Sequence, residues 1–372
     1  MRFSSLRQFI KWSLVVYFSV ITVHCFAFDE PSGMHPKAQL DFVKQQIKAK
    51  KEPYLSAYNQ LIQKADSALL VNHHAVEDFK VPGFYQQKQE HQGKSLALQT
   101  DAFSAYSCAL AWQFTGKKVY AQKALYFLNS WAGINKTYSE LDGSLVMSYS
   151  GSALLMAAEL MKPYKDWKPA DKDKFTGWVK NVFIHAAHSI RYRNNNSGDW
   201  ARLATVLGDC FIGDTDDIKK TTAMIKADLF NKIAPDGHMV EEVKRGANGI
   251  WYAYFSLAPL TASMWVIYNT TGDNMFMLEK DGASVKKAID YLLYYNQHPD
   301  EWTWFKNPNI GKSTNPAVDF WPANLLEAMH FIYPNPEYDA YVSPHRPIVY
   351  ARHDFAWTFP TLLPVKLDGY KQ

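Results

Sequence analysis

The chain has 372 residues, 47% of them hydrophobic, with 40 Lys and Arg against 36 Asp and Glu. That is enough apolar material for a large core and too little net charge to hold nucleic acid by bulk attraction. Three cysteines exclude a disulfide-dense scaffold, and no Cys/His spacing suggests a zinc site, so no metal or cofactor is expected.

A targeting segment comes first. Arg2, Arg7 and Lys11 precede the apolar run WSLVVYFSVITVHCFAF (Trp12 to Phe28), and Cys25 and Ala27 offer a small-x-small cleavage site. Residues 1–27 read as a signal peptide, and the mature chain, 28–372, as a periplasmic or secreted protein. The run is interrupted by His24 and is short against the roughly 20 apolar residues of a spanning helix, so no stable membrane anchor is expected. Cleavage leaves 37 basic against 36 acidic residues. Attraction for an anion then rests on local clusters such as RYR (Arg191 to Arg193) and VKR (Val243 to Arg245). Cys25 leaves with the segment, and Cys108 and Cys210 either pair or stay buried and free.

Beyond it the period is helical. DAFSAYSCALAWQFTGKKVYAQKALYFLNSWA (Asp101 to Ala132) carries an aromatic run to a Thr-Gly stop and then a second amphipathic run, which predicts a helical hairpin. Similar punctuation returns in FIGDTDDIKK (Phe211 to Lys220) and YNTTGDNMF (Tyr268 to Phe276). Repeated hairpins predict an all-α chain, an incomplete α/α toroid forming one domain. From about Asn307 onward, Pro308, Pro316, Pro322 and Pro334 interrupt helices and predict a less regular part.

Two segments depart from simple packing. In RYRNNNSGDWARLATVLGDCFIGD (Arg191 to Asp214), Asn194, Asn195 and Asn196 precede a helix expected to start near Asp199; a turn and an N-cap account for one or two of them. In EEVKRGANGIWYAYFSLAPL (Glu241 to Leu260), Arg245 and Tyr252 are seven apart and would share a helical face with Asn248, with Gly246 and Gly249 weakening that helix. Read alone, the second segment is as well explained by a surface Glu-Arg pair before a core helix.

Together, these segments, PDGH before them (Pro235 to His238) and SGSALLMAAELMK (Ser150 to Lys162) resemble the alginate lyase superfamily of polysaccharide lyases, colinearly over roughly residues 95–330. The resemblance implies a helical toroid with a groove for an acidic polysaccharide, such as alginate or glucuronan, cleaved by β-elimination at a uronic acid. In the best-known mannuronate lyases of the group, the site combines an Asn-His pair, an arginine and a tyrosine seven residues later. Arg245 and Tyr252 match the last two. Anchoring on Trp200 puts Asn196 and Ser197 at the pair; matching the first asparagines puts Asn195 and Asn196 there. The histidine is replaced either way, so the chain diverges from that branch.

These residue types suit the reaction. A guanidinium and an amide donor stabilise the charge that grows on the uronate when its C5 proton leaves, and a phenol near a cation can take that proton and return one to the leaving oxygen. Tyr252, Arg245, Asn195 and Asn196 are therefore the catalytic candidates. His238 could contact sugar, Glu242 could hold the Arg245 guanidinium, and Trp200, Tyr254 and Tyr149 could stack on sugar rings. His91, Gln99 and Asp101 are placed near the groove by position alone. A glycoside hydrolase would need two opposed carboxylates, for which Glu241, Glu242 and Glu327 are available, and a non-catalytic glycan-binding toroid is the third reading. A monomer with no partner beyond its glycan is expected.

Overall fold

Left-handed glycines divide the chain into helical pairs at the stops the sequence predicts. In the computed structural model, which describes residues 32–310, 321–352, 354–367 and 369–370, Gly116 (φ 70°), Gly213 (φ 79°) and Gly272 (φ 78°) each end a helix in a conformation that a Cβ would disfavour. The predicted signal segment, 1–27, lies outside the described residues.

Helices α1 (Lys37–Lys48) and α2 (Tyr54–Leu69) lead into the hairpin of α3 (Lys88–Thr115) and α4 (Lys118–Ile134). Next come α5 (Gly143–Met161), α6 (Pro169–Trp178) and α7 (Ile184–His188), with a π turn over Val179–Phe183 between the last two, and then α8 (Asn196–Ile212) and α9 (Thr215–Lys232). A loop precedes α10 (Gly249–Thr271) and α11 (Val285–Gln297), and the proline-interrupted end keeps only short helices, α12 (Ala323–Met329) and α13 (Pro336–Val342). Among the described residues, strands form two small ladders. β1 (Asp78–Lys80) runs parallel to β2 (Thr137–Ser139), and β3 (Glu279–Lys280) antiparallel to β4 (Ala283–Ser284).

The inner wall is a row in which α3 packs on α5, α5 on α8 and α8 on α10, with α4, α9 and α11 backing α3, α8 and α10. The chain is thus an all-α toroid of helical hairpins. Inner helices are apolar on every side: all residues of α5 from Val146 to Met161 and all of α10 from Ala253 to Ile267 are buried. Both would be long and apolar enough to cross a membrane, but 89% of the relevant window is buried in the fold, so their composition is that of core. Buried hydroxyls in α5 are satisfied within the helix, Ser148 donating to the Ser144 carbonyl (2.8 Å) and Ser152 to that of Ser148 (2.6 Å).

The inner helices run the same way, as the contacts at their two ends show. At the C-terminal end, residues 32–36 enter the ring. Gly33 N–H donates to the Glu159 carboxylate of α5 (2.9 Å), Trp265 of α10 donates to the Met34 carbonyl (3.0 Å), and His35 bonds Tyr106 of α3. The last segment of the chain fills the space between α3 and α10. Phe355 and Phe359 meet Phe103 of α3, with ring centroids 5.9 Å apart in each case, and Trp357 donates to Thr261 of α10 (3.0 Å). Cys108 and Cys210 are both buried and free. Of the two open expectations for them, the unpaired one holds.

Trp357→Ala should therefore cost about 3–5 kcal/mol, the usual loss for an emptied aromatic site. Urea unfolding measures it, and a loss below about 1 kcal/mol would show that the C-terminal segment is not part of the core.

Candidate active site

At the other end of the ring, the N-termini of α3, α5, α8 and α10 converge. The Phe84 N–H, just before α3, donates to Asp142 at the start of α5 (2.8 Å), Tyr149 of α5 meets Trp200 of α8 and Phe255 of α10, and Tyr85 reaches Tyr252 of α10. Each helix start carries about half a positive charge in unpaired N–H groups, so four together favour an anion.

Asn195 is the N-cap of α8, its side-chain oxygen accepting from Ser197 N–H (3.1 Å). The helix therefore starts three residues earlier than the Asp199 expected from sequence. Gly198 allows the preceding loop to lie directly on its first turn, since a Cβ there would fall 1.9 Å from the Arg193 carbonyl oxygen. Asn195 is half-buried with its amide nitrogen unspent in the cap, whereas Asn196 is only 1% exposed. Asn196 gives both its backbone N–H (2.6 Å) and its side-chain amide (2.8 Å) to the two carboxylate oxygens of Glu242. Burial pushes Glu242 up to about 7, against the pull of those donors and of Arg245. The expected Glu242–Arg245 pairing is thus corrected: the carboxylate bonds Asn196.

Arg245 and Tyr252 do meet, but not along one helical face. A 3-10 turn, Gly246–Asn248, separates Arg245 from α10, whose first turn carries Tyr252. The chain folds back so that the Arg245 guanidinium carbon lies over the Tyr252 ring, 4.3 Å from its centre. Among the described residues no carboxylate forms an ion pair with Arg245, which leaves its N–H donors for the carboxylate of a ligand. Tyr252 also shares a hydrogen bond of 2.6 Å with Tyr85, a largely exposed phenol that sequence reasoning missed. Burial and the Tyr85 contact raise the Tyr252 phenol above its ordinary value, and Arg245 offsets only part of that. The lowering expected from the cation is therefore outweighed, and the resting phenol is protonated.

Other candidates fall elsewhere. Trp200, Tyr254 and Tyr149 are buried, so none presents a face to a sugar. Trp200 packs 5.3 Å from Phe255, and Tyr254 accepts from Asn324 (3.0 Å). Aromatic residues serve cores as readily as sugars, and sequence alone does not separate the two uses. His91 is turned to the Pro82 carbonyl (2.9 Å), and Asp101 is fully buried, holding Trp131 and His74; both brace loops, while Gln99 is half-buried. Arg191 is held by Asp217 and Lys244 by Glu241, which removes much of the basic clusters' free charge. His238 donates through Nδ1 to Asp236 (2.7 Å) and lies 4.8 Å from the Trp304 ring. Among the described residues no group of three or more His, Cys, Asp or Glu side chains gathers as a metal site.

Comparison with known proteins gives these positions a context. The sequence matches the family model "Alginate lyase" over residues 38–302. A search of the curated proteins finds no match. Among solved structures, an alginate lyase from Bacteroides ovatus is similar, with 20% identity and a TM-score of 0.72 over 90% of this chain and 99% of that one. Alginate lyase A1-III from Sphingomonas species A1 is 16% identical with a TM-score of 0.69, over 91% and 99% of the two chains. A variant of A1-III complexed with tetrasaccharide is 16% identical with a TM-score of 0.74, over 91% and 98%.

The Glu242 geometry carries a pH dependence. Its folded value, about 7, lies above the ordinary 4.5, so its contribution to stability is complete below 4.5 and is lost as pH rises through 7. Between pH 5 and pH 9 the wild type should lose on the order of 3 kcal/mol relative to Glu242→Gln. Urea unfolding of both proteins at the two pH values checks this, and a constant difference would mean that Glu242 is ionised throughout.

Proposed function

Because the chain belongs to the alginate lyase family and is a polysaccharide lyase, we propose that it cleaves an acidic polyuronate by β-elimination, with Tyr252 moving the protons and Arg245 and Asn195 neutralising the uronate. The observation that carries this reading is the guanidinium stacked on a phenol where four helix N-termini meet. The solved relatives are named as alginate lyases, one of them bound to a tetrasaccharide, and alginate or glucuronan is the corresponding substrate class here.

In this reading the uronate carboxylate lies against the Arg245 edge and the Asn195 amide. Both donors strengthen their bonds as charge grows on the carboxylate, and therefore favour the transition state over the bound substrate. The C5–H bond breaks, its electrons form the C4–C5 double bond, and the C4–O bond releases the leaving sugar, whose oxygen takes a proton. A sugar that displaces the Tyr85 hydroxyl removes one cause of the raised Tyr252 value, and the form that reacts is the phenolate beside Arg245, whose proton has first passed to solvent water. Tyr252 then takes the C5 proton and hands it to the leaving oxygen. Asn196 is bonded through both its N–H groups to Glu242, which supports Asn195 as the donor to substrate. Export belongs to the same proposal, because a polymeric substrate is met outside the cytoplasm.

A hydrolase has less support, since the three carboxylates that the sequence offers for one are each engaged: Glu241 with Lys244, Glu242 with Asn196 and Glu327 with Arg346. Incubating the mature chain with polymannuronate, polyguluronate, glucuronan and a neutral glucan tests the class. Unsaturated product absorbing in the ultraviolet from an acidic polymer supports the lyase, and reducing ends without that chromophore would overturn it.

Two sets of variants test the roles. Tyr252→Phe should lose about 10²–10⁴-fold in turnover while keeping oligosaccharide affinity, and Arg245→Ala should lose about 10²–10³-fold in turnover and weaken binding as well. Near-parental turnover by Tyr252→Phe would sink the mechanism. Asn195→Ala should lower kcat with little change in melting, whereas Asn196→Ala should chiefly lower stability, by about 1–3 kcal/mol, because it strands the buried Glu242 carboxylate. Steady-state kinetics beside thermal melts separate the two, and the reverse pattern would exchange their roles.

A further inference from the structure

Beside the Arg245 turn, two consecutive aromatic residues stand at the surface, Trp304 at 44% exposure and Phe305 at 43%. They are held in place. The Trp304 indole N–H donates to the Tyr291 hydroxyl (3.0 Å), and Tyr291 rests on Tyr295 (4.6 Å between centroids) and on the buried Trp302 (6.0 Å). That layer is continuous with the site. A Cβ on Gly249, the first residue of α10, would lie 3.0 Å from the Trp302 ring, and one on Gly246, next to Arg245, 3.7 Å from the Phe305 ring. His238 closes one edge, 4.8 Å from Trp304. Burial alone would raise the Asp236 carboxyl, yet the His238 backbone and ring N–H groups lower it overall. It is therefore a carboxylate that accepts a hydrogen bond from Nδ1–H, leaving Nε2 on the other side of the imidazole.

We propose that Trp304, Phe305 and His238 form a sugar-stacking subsite, outside the cleavage position, for a further uronate residue of the same polysaccharide chain. The inference rests on the polyuronate reading above and extends it along the groove. A pyranose ring has a C–H face that suits the negative face of an aromatic ring, and a polar rim. The indole and phenyl supply the first contact. His238 Nε2 supplies the second, a polar contact for a hydroxyl on that rim. Two exposed rings make too small a patch for a stable protein partner, which needs roughly 800 Å² on each side, but one pyranose ring covers a tryptophan.

The test compares wild type, Trp304→Ala and Trp304→Phe on mannuronate, guluronate and glucuronate oligomers of increasing length. Trp304→Ala should raise KM about tenfold on the longer oligomers and on polymer, the worth of one good aromatic stack. It should leave kcat within about twofold and the shortest cleavable oligomer unaffected, and Trp304→Phe should recover most of the loss. An unchanged KM at every length, or an equal loss at every length, would overturn the proposal. Calorimetry with the hexamers on the Tyr252→Phe background reads binding without turnover. If no uronan yields unsaturated product, the lyase reading falls, while a tenfold affinity loss on adding Trp304→Ala still upholds the platform. Equal affinities, or no binding by either protein, overturn it.

Discussion

The geometry of the candidate site depends on how α8 is registered against α10, and a buried carboxylate sets that registry. Asp199, in the first turn of α8, accepts from Ser256 of α10 (2.5 Å) and from Lys232 at the end of α9. Arg202, one turn on, bonds Asp228 of α9 and the Arg191 carbonyl (3.0 Å). These groups are almost fully enclosed, so each charge is tolerable only with its partners in place; removing one commonly costs about 3–5 kcal/mol. Above this layer Asn196 and Glu242 add a second tie, to the loop that carries Arg245. Asn195, Arg245 and Tyr252 therefore stand on two elements locked together twice, and a shift of one helix relative to the other would break both ties.

The same locking explains why both described ends of the chain run into the ring. A row of four helices leaves its inner face open between the first and the last. Residues 32–36 use Glu159, Trp265 and Asn269 at the C-terminal end of the helices. The stretch from Ile348 to Val365 supplies Tyr350, Phe355, Trp357 and Phe359 to the middle. The two meet where Gln39 donates to the Pro364 carbonyl (2.9 Å). With the C-terminal end of the bundle occupied in this way, it is the N-terminal end whose helix dipoles favour an anion.

Hairpins were legible in the sequence because their signals are local: a glycine stop, a polar start, and apolar residues at helical spacing on the outer helices. Inner helices such as α5, buried on all sides, carry no such stripe, so their order around the ring came only with the structure. The pairing of Arg245 with Tyr252 was legible by type and spacing, but the 3-10 turn at Gly246–Asn248 makes the route different from a shared helical face. Glu242 was assigned the wrong partner, because a carboxylate three residues before an arginine looks paired, while Asn196 is 46 residues away. Tyr85 and Trp304 were invisible for the same reason: their partners, Tyr252 and His238, are 167 residues away in the first case and 66 in the second.

The protonation of Tyr252 ties these layers together. A phenol on an open surface beside a guanidinium would lose its proton more readily, yet here burial among Trp251, Phe255 and Tyr85 has the larger effect. Arg245 itself is exposed, so its charge reaches the phenol partly through water and offsets only part of that effect. A site of this kind holds its proton while empty. Of these neighbours Tyr85 is the most exposed, at 70%, so its hydrogen bond is the contact of the phenol most open to exchange with a ligand.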